Sequence, residues 1–279
     1  MRSVTLMRYV VTFAVIMFCC IKPVWSKAPE GGYTFGIGPV QAATELARRW
    51  TPFLEYVSRK SGVPLQFATA KDISTYQQQL MEGVYDVAYI NPYHYLASNK
   101  SSGYTAFARE RDGKLSGIIV VRKDDPIKNL SQLNAKSVAF PAATALAATW
   151  LPMNMLEKNS ITVTPQFVNS MDSVYIAVVK GIFPAGGGET RTFGTLDPAM
   201  KDQLRILWTS EPLPPFPFVS HPRMPKSAVA KVQRVMEQMA NDPEGLELLK
   251  VHKFKGIERC KDSDYNVVRK MNLKPLKAN

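Results

Sequence analysis

The spacing of apolar residues along the chain predicts strands and helices in alternation. Short apolar or alternating runs are typical of strands, and apolar residues three and four apart are typical of amphipathic helices. The first series comprises strand 33–38, helix 46–57 restarted at Pro52 and stopped by Gly62, strand 64–68, helix 73–82, strand 85–90 and a short helix 92–98. This βαβαβα order favours a mostly parallel sheet covered by helices on both faces.

A second series of the same kind follows after residue 116. It comprises strands 117–122, 137–140, 163–168 and 205–208, helices 144–157 and 171–180, a proline-dense connector 212–225, and helices 228–240 and 242–251. Two α/β units joined by extended crossings predict two lobes around a cleft. We expect lobe 1 to hold residues 27–115 and 209–279, and lobe 2 to hold residues 116–208.

Residues 1–26 have the pattern of an export signal. Arg2 and Arg8 precede an apolar run of 13 residues, 9–21, and small residues stand three and one before a cut after Ser26. A membrane anchor is the alternative, but a spanning helix needs about 20 apolar residues. A lipoprotein signal at Cys19 or Cys20 is disfavoured by the bulky Phe18 that precedes them. We therefore expect an exported protein in the periplasm.

Composition narrows the class of partner. The full chain has a net charge of +12, and without residues 1–26 it has 32 basic and 23 acidic residues, a balance of +9. The basic residues are scattered rather than gathered in a stripe, which disfavours nucleic acid as a partner. Two explanations of the positive charge remain: a solvated basic surface, or the attraction of anionic solutes or of an anionic membrane surface. Cys260 would be the one cysteine left, so no internal disulfide is expected. We expect a monomer.

Catalytic motifs are not recognisable in the sequence. His94, His221 and His252 lie far apart without metal-ligand spacing, and each is expected to be a surface or packing residue. Neither a nucleophile elbow nor a phosphate-binding loop is present. The sequence therefore predicts a protein that is not an enzyme and that needs no cofactor or metal.

Strand-to-helix turns are the places to look for a ligand site. Ligands of open α/β sheets lie beyond the carboxyl ends of the strands, and a helix start offers unpaired N–H groups to an anion. The three glycines Gly186–Gly188 are expected to form a turn or to let the backbone approach a ligand closely. Glu189 and Arg191 follow them and would share one face of an extended segment. The candidate ligand-binding residues are Pro39, Asn91, Tyr93, Thr144, Ala145, Leu146, Ala147, Asp172, Glu189 and Arg191.

Each polar candidate also has a purely structural interpretation. Thr144 can be a helix cap, and Tyr93 can be a core aromatic residue. Asp172 lies early in a helix, where it can complement the helix dipole. Glu189 and Arg191 are two residues apart and can pair with each other. These alternatives stay open at the level of sequence.

The order of several short pieces resembles the phosphonate-binding type of periplasmic receptor, within the phosphate/phosphite/phosphonate group of ABC-importer solute-binding proteins. The pieces are Gly38-Pro39, Leu80-x-x-Gly83-x-x-Asp86-x-Ala88-x-x-Asn91-Pro92-x-x-Tyr95, residues 136–140 leading to Pro152, Asp172 with Ala177-Val178-x-x-Gly181, and the return segment 204–217. The resemblance implies a type II periplasmic-binding-protein fold, an α/β fold of two lobes joined by two extended hinge strands near 115–120 and 205–210. It also implies a small oxyanion or phosphonate as ligand and an ABC-importer permease as partner. The alternative is a sensor of the same fold that serves a signalling or envelope protein.

The sequence departs from this group where the group binds its oxyanion. The group's Ser-Thr-Ser-Gly is replaced by residues 145–148, Ala-Leu-Ala-Ala, and its His-Asp pair by Met171-Asp172. The acidic residue expected shortly after Gly181 aligns with Pro184. We therefore expect orthophosphate and simple phosphonates to bind weakly, and the true ligand to be less charged or to carry an apolar part.

Overall fold

The computed structural model describes residues 31–271, so the export signal predicted at 1–26 lies outside the described residues. The strands are β1 Tyr33–Ile37, β2 Leu65–Ala68, β3 Val87–Tyr89, β4 Thr105–Glu110, β5 Gly117–Arg122, β6 Ser137–Phe140, β7 Thr164–Phe167, β8 Gly186–Glu189, β9 Leu204–Thr209, β10 Pro217–Ser220 and β11 Ile257–Arg259. The α-helices are α1 Ala43–Ser61, α2 Ile73–Met81, α3 Pro92–Ser102, α4 Leu151–Lys158, α5 Met171–Val179, α6 Thr190–Gly194, α7 Pro198–Lys201, α8 Lys226–Gln238, α9 Pro243–Val251 and α10 Asn266–Arg269. Over residues 31–271 no helix combines the length and the apolar character that crossing a membrane requires.

Two mixed sheets form the two lobes. The sheet of lobe 1 has the order β11-β4-β10-β3-β1-β2, and that of lobe 2 the order β7-β6-β8-β5-β9. Strands of the local βαβ units are parallel, whereas β10 runs antiparallel to β3 and β4, and β5 antiparallel to β8 and β9. The α/β class and the two lobes are confirmed. The expectation of mostly parallel sheets is wrong, because β5 and β10 enter their sheets by crossing from the other lobe rather than through a helix.

The chain passes between the lobes through segments 111–116 and 210–216. These segments pair with each other, since the Leu115 amide donates to the Leu213 carbonyl at 2.9 Å and the Leu213 amide donates back at 2.8 Å. The crossings were expected near 115–120 and 205–210, but most of those residues lie inside β5 and β9. The residue limits predicted for the lobes stay a prediction.

Helix α1 runs without a break through Pro52, so the predicted restart of the helix there is wrong. A proline inside a helix removes one hydrogen bond and costs about 3 kcal/mol. The buried face of α1 carries Trp50, Phe53 and Leu54, each almost completely excluded from solvent, and their burial outweighs that cost. The predicted stop at Gly62 is confirmed, since this residue takes the left-handed conformation with φ of 68°.

The proline-dense connector predicted at 212–225 contains a central strand. β10 lies between β3 and β4, and Phe218 and Val219 are fully buried there. Pro217 is the first residue of the strand, a position where its missing N–H group does not interrupt the sheet. Sequence reasoning missed β10 because proline content was taken as evidence against a strand.

The three glycines at 186–188 form strand β8 rather than the predicted turn. β8 lies in the middle of the lobe 2 sheet, between β6 and β5. A Cβ atom on Gly187 would lie 2.0 Å from the Ala148 carbonyl oxygen, and one on Gly188 would lie 2.4 Å from the Tyr175 hydroxyl. Glycine is needed here because backbone and side-chain atoms of the neighbouring elements lie too close to the strand for a Cβ atom to fit.

Candidate ligand-binding cleft

Two adjacent cavities lie where the two lobes face each other. The first cavity spans about 430 Å³, including the part open to solvent. It is lined by Gly38, Pro39, Val40, Ile73, Tyr76, Tyr89, Ile90, Asn91, His94, Ala145, Leu146, Ala147, Met171, Glu189 and Phe216. The carboxyl ends of β1 and β3 supply one wall, and the turn that precedes α4, the start of α5 and the end of β8 supply the other. This is the strand-end location that the sequence predicted.

The second cavity spans about 470 Å³, again including the part open to solvent. It is lined by Ile37, Gly38, Val40, Gln41, Leu46, Arg49, Trp50, Tyr89, Arg191, Thr192, Thr195, Phe216 and His252. Gly38, Val40, Tyr89 and Phe216 line both cavities, so the two are neighbours on either side of a shared wall.

The structure brings most of the predicted site residues to this cleft. The first cavity is lined by Pro39, Asn91, Ala145, Leu146, Ala147 and Glu189, and the second by Arg191. Thr144, Asp172 and Tyr93 line neither of these two cavities. Tyr93 is partly buried against a hydrophobic core cluster with residues from both lobes, which fits the alternative of a core aromatic residue that the sequence left open for it. The assignment of these residues to ligand binding stays a prediction.

The turn at residues 145–150 replaces the predicted start of a regular helix at Thr144. One turn of π-helix, Leu146–Trp150, precedes α4, and the amides of Thr149 and Trp150 both donate to the Ala145 carbonyl, at 2.8 and 3.2 Å. The side chains of Ala145, Leu146 and Ala147 are apolar and buried against the first cavity. Among residues 31–271, no lysine or arginine lines this cavity, so an anion there would depend on uncharged donors such as backbone amides and the Asn91 side chain.

His94 links the two lobes at the edge of the first cavity. Asn91 caps α3 by accepting from the His94 amide at 2.8 Å, and the Nε2 atom of His94 lies 3.3 Å from the Thr144 hydroxyl. Burial lowers the pKa of His94 to about 4, so the ring is neutral at pH 7. The sequence treated His94 as a surface or packing residue, because a single histidine without a spaced partner carries no recognisable pattern.

Asp172 reaches across the cleft to the other lobe. Its Oδ2 atom accepts from the amide of Ala42, the residue before α1, at 3.2 Å. Burial is the main influence on this carboxyl group and raises its pKa. Asp172 therefore complements the start of a helix in lobe 1, while Ser170 caps its own helix by accepting from the Ser173 amide.

Removing this contact should favour separation of the lobes. We expect Asp172→Ala to cost the closed form about 1 kcal/mol, the typical value of a helix cap, and so to raise the open-to-closed ratio about fivefold. Small-angle scattering of the ligand-free protein should show a larger radius of gyration. Asp197→Ala is the matched control, because Asp197 caps α7 within lobe 2 alone. Equal scattering from both variants would contradict a role in closure.

Glu189 and Arg191 form an ion pair, and Arg191 contacts Tyr89 and Phe216, which line both cavities. The Arg191 Nη2 atom lies 3.2 Å from Glu189 Oε1, its Nη1 donates to the Tyr89 hydroxyl at 3.2 Å, and its guanidinium carbon lies 4.2 Å from the Phe216 ring centre. Glu189 is 2% exposed, and burial raises the pKa of its carboxyl group against the opposing effect of Arg191. The two residues were predicted to share an extended face. The pairing that the sequence left open is present, but the extended segment is not, because Glu189 ends β8 and Arg191 lies in α6.

Two α/β lobes, two extended connections and a cleft between them define a type II periplasmic binding protein. The chain belongs to the family of periplasmic substrate-binding proteins of phosphonate ABC transporters, whose family model matches residues 35–265. Members of this family are substrate-binding receptors rather than enzymes, and they work in the periplasm as components of ABC importers.

Individual relatives are distant. The chain is 28% identical over 120 residues to the phosphonates-binding periplasmic protein of Escherichia coli K12, a match that covers 42% of this chain and 36% of that protein. It is 21% identical over 229 residues to the phosphate-import protein PhnD of Mycolicibacterium smegmatis, covering 73% of this chain and 70% of that protein. The structure of PhnD1 from Prochlorococcus marinus in complex with methylphosphonate superposes with a TM-score of 0.79 at 14% identity, over 88% of this chain and 99% of that one. The structural similarity supports the fold.

Proposed function

We propose that this chain captures a small anionic or phosphonate-like solute that carries an apolar group, and delivers it to the permease of an ABC importer. The observation that carries the proposal is the apolar wall of the first cavity at residues 145–147, where the related receptors usually carry hydroxyl groups. The proposal includes export to the periplasm with removal of residues 1–26, and function as a monomer.

Capture follows from closure of the lobes around the solute. The apolar part of the solute would be removed from water between Leu146 and Ile73, and each buried methylene contributes about 0.8 kcal/mol. Asn91 on the wall from lobe 1 and Glu189 on the wall from lobe 2 are polar groups that can fix its orientation, Glu189 by accepting from an amine or from a protonated oxygen. A ligand that contacts both lobes shifts the population towards the closed form, which the permease would recognise.

Ligands with an apolar substituent should therefore bind more tightly than phosphate. In a thermal-shift panel, phenylphosphonate should stabilise the protein more than methylphosphonate, orthophosphate or sulfate at equal concentration. A ligand at one hundred times its dissociation constant adds about 2.7 kcal/mol to the free energy of unfolding. Benzyl alcohol serves as the control for apolar binding without charge. Submicromolar binding of orthophosphate or methylphosphonate, measured by titration calorimetry, would contradict the altered ligand class.

A further inference from the structure

The second cavity contains a buried cation that lacks a counter-ion. Arg49 lies on the buried face of α1 and is 9% exposed. Its Nη2 atom donates to the Val251 carbonyl at 2.8 Å and its Nη1 atom to the Gln41 side-chain oxygen at 3.3 Å, and both acceptors are neutral. Within residues 31–271 no ion pair includes Arg49. The nearby carboxylate of Glu45, one turn earlier on α1, attracts Arg49 without contact and bonds Arg48 instead, at 2.8 Å. A buried charge without a partner is costly.

The second guanidinium of the cavity, that of Arg191, does not add to this excess of positive charge. Arg191 already has a carboxylate partner in Glu189, so the pair is neutral as a whole. The charge that remains at the wall of the cavity is that of Arg49. Two of the five N–H donors of each guanidinium are used in the bonds described, and an arginine fork matches the geometry of an oxyanion. One negative charge would balance the site.

A third polar side chain in this cavity, that of His252, has one ring nitrogen without a hydrogen-bond partner among the described residues. His252 is 4% exposed, its ring centre lies 4.1 Å from that of Trp50, and its Nε2 atom is buried without a hydrogen bond among the described residues. Buried polar atoms are nearly always hydrogen-bonded, so an unpaired one beside a cavity is a contact that a polar ligand could complete. The amide nitrogen of Gln41 is a further donor on the same wall, since its oxygen accepts from Arg49.

We propose that the second cavity is an oxyanion subsite in which Arg49 and Arg191 hold the anionic group of the solute. The ligand class is a small organic monoanion, a phosphonate or a carboxylate, whose apolar part crosses the shared wall at Tyr89 and Phe216 into the first cavity. This inference rests on the proposed function and relocates the charged end of the ligand. From the sequence, the anionic group was expected at the turn 144–147, where this chain lacks the Ser-Thr-Ser hydroxyl groups of the group that it resembles.

Substitution of Arg49 tests this subsite in the exported protein. Titration calorimetry would use phenylphosphonate and benzoate as probes, with Arg49→Met, Arg49→Lys and the control Arg59→Met, whose side chain is 57% exposed on the same helix. We expect Arg49→Met to weaken binding tenfold or more and Arg59→Met to change it less than twofold. Arg49→Lys keeps the charge without the fork and should give an intermediate loss. The two probes show whether the group held is a phosphonate or a carboxylate.

The possible outcomes separate this subsite from the proposed function. Unchanged affinity in Arg49→Met overturns the subsite and leaves the receptor function intact. Failure of the unsubstituted protein to bind either probe overturns both proposals. If Arg49→Met does not fold, as judged by circular dichroism, Arg49→Lys decides the matter, and wild-type affinity in that variant overturns the subsite.

Discussion

Restoring hydroxyl groups to the turn at 145–147 should create an oxyanion site in the first cavity, where the unsubstituted protein has none, and raise the affinity for methylphosphonate about a hundredfold. The variant combines Ala145→Ser, Leu146→Thr and Ala147→Ser, which returns the Ser-Thr-Ser order usual in the related receptors. A hydrogen bond to a charged group contributes about 1.5–3 kcal/mol, so two new bonds account for this gain. The exchange of leucine for the shorter and more polar threonine at 146 also removes apolar surface from the first cavity, and phenylphosphonate should therefore lose affinity relative to methylphosphonate. Titration calorimetry with both ligands measures the exchange of preference.

A control distinguishes the effect of hydroxyl position from that of added polarity. Ala142→Ser adds a buried hydroxyl group in the same loop, but Ala142 does not line the first cavity. This variant should leave both affinities within twofold of the original protein. Unchanged affinity for methylphosphonate in the triple variant would show that the lost hydroxyl groups do not set the ligand preference.

Gly187→Ala should destabilise the protein by about 3 kcal/mol, the upper end of the range for overpacking a core. The added Cβ would lie 2.0 Å from the Ala148 carbonyl oxygen and 2.4 Å from the Phe140 ring. Neither neighbour can give way easily, because one is backbone and the other is a fully buried ring. The turn at 146–150 would have to move away from β8, so the first cavity should change shape and ligand affinity should fall as well.

Urea denaturation of Gly187→Ala and of Gly194→Ala provides the comparison. Gly194 lies in α6 of the same lobe, and a Cβ atom there would meet nothing within 4 Å. Alanine is favoured over glycine in a helix by about 1 kcal/mol, so the control should keep or slightly raise the midpoint. Equal midpoints in the two variants would contradict the close contact between β8 and the turn.

Local patterns in the sequence determined most of the elements and the location of the cleft. β5 and β6 begin and end where the apolar runs predict, and α5 begins at Met171 as predicted. These elements can be predicted because the period of their apolar residues indicates which side is buried, and burial of that side stabilises them. The order of the short motifs indicated the family, and the family match over residues 35–265 confirms it. Strand-end turns then located the first cavity.

Tertiary structure alone decided the features that depend on distant neighbours. β8 is a strand because the turn at 146–150 and Phe140 leave room only for glycine, and no local period can report that contact. β10 is a strand because β3 and β4 flank it, although its prolines argue against one locally. Arg49 and His252 are about two hundred positions apart and were not candidates, yet they line one cavity with Arg191. The sequence determines burial through short-range patterns, whereas a site made of buried charges depends on which segments meet, and only folding brings those segments together.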